Sequence, residues 1–586
     1  MWYRAFSKVA FVLMLLSNAY AQAPERFPRT PPAGPDNHAR PIIAPVFATG
    51  MKCDGSTDDS AALQAILNSA AAVSPGSGNG AVIMPPGTCI IDLAAHVSIN
   101  AAIWLQGAGK LGTTLKRKNS SNGGSILMIN SNGVTLSDFA IDGNKGGPGI
   151  VAGADSVSAT GPFSDITVRQ MRFLNSTDSD IVSSVIGPGN YTTNWLIEDN
   201  DFQNQGNPYF SCVTSIQCAN VRLLQPFRVR VLRNRSDISE QFALFGSTPG
   251  GGQVEVGENI ITNVGGFAIA LGGGVLGASG AHIHHNFITT NTSDPHNMID
   301  VAFWNDFTVD HNVLYHNGVT PSPVNEPSAC IADFPPANHG EVDSNICYAT
   351  PTANLNVVGI SMGGNDVSIT NNFVQGCSTA GIGVAVGSQG PARGVRIIGN
   401  TAKNNDHQTP GAHAGIELFL GPGAPNLAAL SDVIIQGNDS YDDQPVKTQG
   451  YGIGIGLAGV RTGFADVIIE GNNLKGNRLG ALLNNAAPFT GFAIRNNAGV
   501  TSAGAIKAPS FPLSGNALVN NTSYDVDVYI TSGAQPITVA INGITLTGVS
   551  VPGGGVVSGP IRLPANQNIT LTYAAGGAPG WQWIAD

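Results

Sequence analysis

From Trp195 onward, apolar and polar positions recur in one short phrase: an apolar residue, any residue, Val or Ile, any two residues, then Asn. It reads WLIEDN, VRVLRN, VEVGEN, AHIHHN, FTVDHN, GEVDSN, VSITNN, VRIIGN, VIIQGN, VIIEGN and FAIRNN, closing at Asn200, Asn234, Asn259, Asn286, Asn312, Asn345, Asn372, Asn400, Asn438, Asn472 and Asn497. The closing asparagines stand 25 to 38 residues apart, and a unit of that size repeated this often marks a solenoid. Within the phrase the alternation has period two. It therefore predicts a strand whose first and third positions face inward and whose second and fourth face outward.

Many phrases are followed by a second short strand led by a glycine or small residue, as in GGFAIAL, AGIGVAV, AGIELFL and YGIGIGL. Two or three strands per coil, stacked on the next coil, make an all-β fold, a right-handed parallel β-helix. An inward Asn at each turn can bond the backbone and the Asn of the neighbouring coil, so these residues belong to the scaffold.

The pattern changes at both ends. In MKCDGSTDDSAALQAILNSAAA, Thr57 or Asp58 can cap a helix whose Ala62, Leu63, Ile66, Leu67 and Ala70 share one face. Such a helix would cover the open strand edges of the first coil. After Ser514 the phrase stops and period-two runs such as YDVDVYI, ITVAING and NITLTYA take over, ending in GWQWIAD. At the start, Arg4 and Lys8, an apolar core from Val9 to Leu16 and Ala19-Tyr20-Ala21 have the layout of a signal peptide. That core is too short to span a bilayer, and no later segment is apolar enough to do so. The expected organisation is a signal peptide over 1–21, a linker over 22–45, the β-helix over 46–510 and a small β-sandwich-like module over 514–586. The expected destination is the periplasm, the cell surface or the medium.

Composition fits this picture and narrows the partners. Charged residues make up 11% of the 586 residues, glycines number 74, and the formal net charge is −11 with no Lys/Arg-rich run. A basic nucleic-acid binder is therefore excluded. Seven cysteines leave at least one thiol unpaired in a monomer. Cys53 with Cys89, Cys212 with Cys218 and Cys330 with Cys347 are plausible local pairs, although spacing does not fix the connectivity.

The stretch CDGSTDDSAALQAIL, followed by the Pro85-Pro86-Gly87-Thr88 strand lead and by IWLQGAGKLGTTLKR and VTLSDFAIDGN, resembles the N-terminal region of the pectate-lyase-like superfamily. The resemblance runs from about Val46 to about Gly499 and implies the β-helix fold. The superfamily includes polysaccharide lyases, galacturonan hydrolases, mannuronan C5-epimerases, phage tailspike glycosidases and members with no known activity. The expected function is thus binding of an acidic, uronate-containing polysaccharide, with cleavage by a lyase route or epimerisation. A non-catalytic surface or adhesion protein and a tailspike-like glycoside hydrolase stand as alternatives. The oligomeric state stays open, a trimer included.

Elimination or epimerisation needs a base for the C5 proton, an acid, and neutralisation of the uronate carboxylate. Two residues before the repeated Asn, successive coils place Glu198, Leu232, Gly257, His284, Asp310 and Asp343; four before it, Leu196, Arg230, Glu255, His282, Thr308 and Glu341. Coils about 4.8 Å apart would bring Glu255, His282, His284, Asp310, Glu341 and Asp343 into one polar patch; Glu255, His282, His284 and Asp310 are candidates there for holding substrate, the alternative being a solvated face that needs no function. Asp178, Asp180 and Glu240 lie on the loops after the Asn and the glycine-led strands and are further candidates for holding substrate; His413 and Glu417 in AHAGIEL lie on the same surface. D-P-H followed by a C-I-A-D strand resembles the mannuronan epimerases, which implies a site at Asp294, His296 and Asp333 with Asp300 beside them. In that reading His296 is the base or acid. The family motif continues with Glu, where this chain has Asn297. No cofactor is required by this chemistry; acidic groups on glycine-led strands could hold Ca²⁺, although no loop has a calcium-site spacing.

Overall fold

The computed structural model describes residues 43–585 except 74–79, 93–96, 120–123, 148, 153–162, 184–191, 204–218, 247–250, 273–276, 291–295, 319–327, 334–336, 388–390, 422–423, 425–428, 501–503, 507, 523–524, 534, 555–556 and 575–578. The leader segment, Asp294, Cys212 and Cys218 fall outside the described residues. Among the described residues, three parallel sheets of 17, 14 and 14 strands run side by side; they are called sheets A, B and C. One coil shows the plan: Ala278–His284 in sheet A, Phe287–Thr290 in sheet B, Ile299–Val301 in sheet C, then Trp304–Asp310 back in sheet A. The chain is a right-handed parallel β-helix, as the repeat predicts.

The repeated phrase is the sheet A strand and its exit turn. Each closing Asn is buried at that turn or nearly so; Asn286, for example, donates from N and Nδ2 to Asn312 Oδ1 at 3.0 and 2.9 Å and from Nδ2 to Val256 O at 2.9 Å. The residue before the Asn turns the chain with a positive φ, as in Asp199, Arg233, Glu258, His285, His311 and Ser344. Asn, Asp and Gly tolerate that conformation best, yet here Arg and His adopt it too, because the ladder supplies the compensating bonds. Sheet A therefore passes to sheet B through two residues in coil after coil.

Inside, the inward positions form one continuous apolar core. In sheet C, Ile269, Ile299, Ile331, Ile360, Ile382, Ile416 and Ile453 stack in register and are all fully buried. The helix Ser60–Val73 buries Leu63, Leu67 and Ala70. Asp58 caps it, accepting from Ser60 N at 3.0 Å and Ser60 Oγ at 2.6 Å, while the Thr57 hydroxyl donates to Asp54. Disulfides join Cys53 to Cys89 and Cys330 to Cys347; Cys377 is free and buried. Two four-stranded antiparallel sheets follow, starting already at Gly504–Ile506, with their own core around Val526, Val528, Val539 and Trp583. Among the described residues no helix is long and apolar enough to cross a membrane.

Candidate functional site

Two faces carry histidines, and they differ in kind. On sheet A the register places Glu255 beside His282 and Gly257 beside His284, with Asp310 next along the second column, as counting back from each Asn predicts. Arg230 Nε lies 2.7 Å from Glu255 Oε2, and His284 Nε2 lies 3.2 Å from Glu255 Oε1. His284 Nδ1 is 3.1 Å from His285 Nδ1, and His285 stacks on His311 with centroids 5.0 Å apart. His311 Nδ1 and His282 Nε2 each lie 2.7 Å from one oxygen of Asp310, and the rings of His282 and His284 come within 4.2 Å. The result is a closed ring of partners.

Glycine makes the ring close. A methyl group at Gly257 would fall 2.4 Å from His284 Cε1, so only a missing side chain lets the imidazole lean back to Glu255. Burial pushes the Asp310 carboxyl up, but hydrogen bonds from His282 and His311 outweigh it and hold the group well below the usual carboxylate range. Glu255 is likewise opposed by burial, yet His284 and Arg230 bring it to about 2. Hydrogen bonding to Asp310 raises His311, whereas burial lowers His285. Glu341 and Asp343 continue the two columns.

Sheet C is built differently. One residue past each core isoleucine the side chain faces outward, and the outward column reads Arg222, Leu244, Ala270, Asp300, Ala332, Ser361, Gly383, Glu417 and Gly454 in register. Small residues line this column, called the trough below, in which Ala270, Asp300, Ala332 and Glu417 are all buried. The connections entering this sheet are long: 17 residues separate Gln203 from Val221, 11 separate His316 from Ser328 and 8 separate Thr290 from Ile299. Long connections on a rigid scaffold are where binding groups concentrate.

His296 stands at the entrance to this sheet. Its ring stacks on Phe267, centroids 5.0 Å apart at 12°. A methyl at Gly266 would sit 3.4 Å from Glu240 Oε1 and 3.5 Å from His296 Cδ2, so these two side chains converge over the glycine between them. The spacing His-x-x-x-acid then repeats: His296 with Asp300, and His413 with Glu417, whose His413 Nδ1 to Glu417 Oε2 distance is 3.0 Å. Burial disfavours the His413 cation, but Glu417 and Asp406 outweigh that and raise its pKa.

The other expected residues are placed as follows. Asp333 is buried at an inward position, its oxygens accepting from Gly363 N at 2.7 Å and Ala337 N at 3.3 Å; burial, with a contribution from Asp300, raises its pKa well above the ordinary value. That is the environment of a carboxyl closing a turn. Asp180 is buried too, accepting from Ser176 Oγ at 2.5 Å and Asn220 Nδ2 at 2.9 Å, and burial lifts it to about 7. Asp178 lies near Arg222 and acts on its charge. Glu240 and His296 lie around Gly266, and Asp300, on the coil of His296, is buried. Phe267, Gly266, Ser361 and Arg222 complete the face without having been singled out in the sequence. The outward small residues of GGFAIAL and AGIGVAV were the signal available for them. Among the described residues, the one set of three potential metal ligands that converges is Cys53, Asp59 and Cys89, and its two cysteines are bonded to each other.

A family model described as Rhamnogalacturonase A/epimerase, pectate lyase-like, matches residues 45–140. No curated protein matches the chain. Among solved structures, the chain is similar to the A-module of an Azotobacter vinelandii mannuronan C-5 epimerase, with 16% identity over 77% of this chain and 98% of that one and a TM-score of 0.38. It is also similar to the tailspike protein of E. coli bacteriophage HK620 in complex with a hexasaccharide (11% identity, 92% and 93% covered, TM-score 0.49). A third is PfbA, a surface adhesin of Streptococcus pneumoniae (13% identity, 64% and 92% covered, TM-score 0.42). Residues 45–140 are thus similar to the pectate-lyase-like family, and the described residues beyond them continue the same parallel β-helix.

Proposed function

We propose that this protein binds an acidic polysaccharide along the trough of sheet C and acts on it by lyase or epimerase chemistry centred on His296. The observation that carries the reading is the convergence of His296 with Glu240 over Gly266, on a Phe267 ring, at the edge of a trough floored by Ala270, Asp300, Ala332 and Ser361. A coil rise of about 4.8 Å is close to the length of one sugar, so a glycan lying along the trough meets an equivalent set of outward positions with each residue. Arg222, three coils from Asp300, supplies a cation for a uronate carboxylate farther along the chain.

In this reading the His296 imidazole removes the C5 proton, and Glu240 stabilises the imidazolium that forms. The electron pair left at C5 delocalises into the uronate carboxyl group. Loss of the C4 oxygen with a proton then gives an unsaturated end, or return of a proton to the opposite face gives the epimer. Asp300 lies on the trough side as the second proton carrier.

A second reading is a glycan-binding surface without turnover. It is favoured by the shortage of cations, since Arg222 is the one Arg or Lys in the outward column among the described residues. The test is incubation of the full chain with alginate, pectate and related glycans in heavy water, following unsaturated products by absorbance and deuterium at C5 by NMR. Either signal, lost in His296→Ala, supports catalysis. Binding with neither signal across the panel leaves the non-catalytic reading standing and removes the catalytic one.

A further inference from the structure

Sheet B carries a surface that neither face above uses. Its first outward column runs in register Arg235, Ile260, Phe287, Val313, Ile346, Phe373, Thr401, Asp439. Beside it stand Asp237, Thr262, Thr289, Tyr315, Tyr348, Gln375, Lys403 and Tyr441. Five consecutive coils thus present Ile, Phe, Val, Ile and Phe to solvent, with Ile260 41% exposed and the other four partly exposed. A contiguous apolar stripe bounded by charge marks an interaction site.

The order of the column identifies the occupant. It is a near-palindrome about its midpoint between Val313 and Ile346: reversed, Val313 faces Ile346, Phe287 faces Phe373, Ile260 faces Thr401, and Arg235 faces Asp439. Size class matches outward from the centre and charge is opposite at the ends. Arg235 and Asp439 are both exposed, and neither has an ion-pair partner among the described residues. In the second column the same reversal sets Tyr315 against Tyr348, while Asp237 faces Tyr441 and Lys403 faces Thr262. A two-fold axis along the strand direction produces this match, because it keeps the columns aligned and reverses the coil order. Isologous contacts require such self-complementarity. A glycan fits less well, since Tyr315 and Tyr348 stack on each other, centroids 5.2 Å apart at 18°, and use the ring faces that a sugar would cover.

We infer that sheet B is a homodimer interface, two copies packing face to face with antiparallel β-helix axes and reciprocal Arg235–Asp439 pairs. The stripe is about 34 Å long from seven coil steps and narrow, so the association belongs to the weak class of small interfaces. Sedimentation equilibrium of the full chain from ~1 to ~500 μM, a range chosen for micromolar dissociation constants, should show a monomer–dimer equilibrium. Arg235→Asp or Asp439→Arg alone places like charges together twice and should raise the dissociation constant about tenfold or more. The double variant should return to within about threefold of wild type. Both positions are exposed, and unchanged circular dichroism and melting would confirm that folding is retained. A wild-type protein monomeric at the highest concentration, a trimer, single reversals without effect, or a double variant that stays weak would each overturn the interface.

Discussion

Sheet A and sheet C place histidines on the same coils, yet in two different arrangements. On sheet A every ring of His282, His284, His285 and His311 meets a carboxylate or another ring, and the connection to sheet B is two residues long. On sheet C the column beside His296 is Ala, Asp, Ala and Ser, and the entering connections reach 17 residues. The density of titratable groups is therefore a poor guide to a site. A closed network satisfies itself, and substrate would have to break those contacts; the small side chains beside His296 form no such ring.

The largest expected contrast comes from deleting one histidine on each face. His296→Ala should lower turnover by about 10²–10⁴-fold, the usual range for a lost acid–base group, with an unchanged melting curve. His284→Ala should do the reverse: activity within about twofold of wild type and stability reduced by about 1–3 kcal/mol, because Glu255 loses a partner. Equal losses of activity from both would erase the distinction. Next comes Gly266→Val, which inserts bulk between Glu240 and His296. Turnover should fall by roughly tenfold to a hundredfold, as expected when a base is misplaced, while KM for a long glycan changes less than kcat.

Gly257→Ala is the matching lesion on sheet A. Its methyl would meet the His284 ring at 2.4 Å, and the displaced imidazole should cost about 1–3 kcal/mol in denaturant unfolding with turnover unaffected. The smallest effect is the pH dependence of the ring. Glu255 is held at about 2 in the folded protein, so as pH falls the unfolded chain takes up the proton first. The stabilisation is complete above about pH 5 and is lost progressively toward pH 2, amounting to about 1–2 kcal/mol after allowance for the exposure of the pair. The difference in unfolding free energy between wild type and Glu255→Gln, measured across that range, isolates it. A difference that grows on acidification would have the wrong sign.

Much of this was legible in the chain. Eleven returns of one phrase specify strand, turn and ladder because a parallel β-helix repeats one local solution, and counting back from Asn286 or Asn312 identified the columns that hold His282, His284 and Asp310. The stacking of His285 on His311 followed from their shared place before ladder asparagines. The site was less legible. The motif at His296 pointed to Asp333 and Asp300; Asp333 accepts from the Gly363 and Ala337 amides with Asp300 near enough to raise its pKa, while Glu240, two coils and 56 residues before His296 in the sequence, lies with it around Gly266.

The physical reason is the range of the forces involved. Strand direction, inward or outward facing, and the turn at each Asn depend on neighbours along the chain and on the next copy of the repeat, so the sequence by itself determined the β-helix and its columns. Which side chains meet across two coils depends on the gaps that Gly257 and Gly266 leave, and which polar groups close on themselves depends on the register of whole coils. Only the tertiary structure decided that the sheet A groups close on one another while His296 stacks on Phe267 beside a column of small residues.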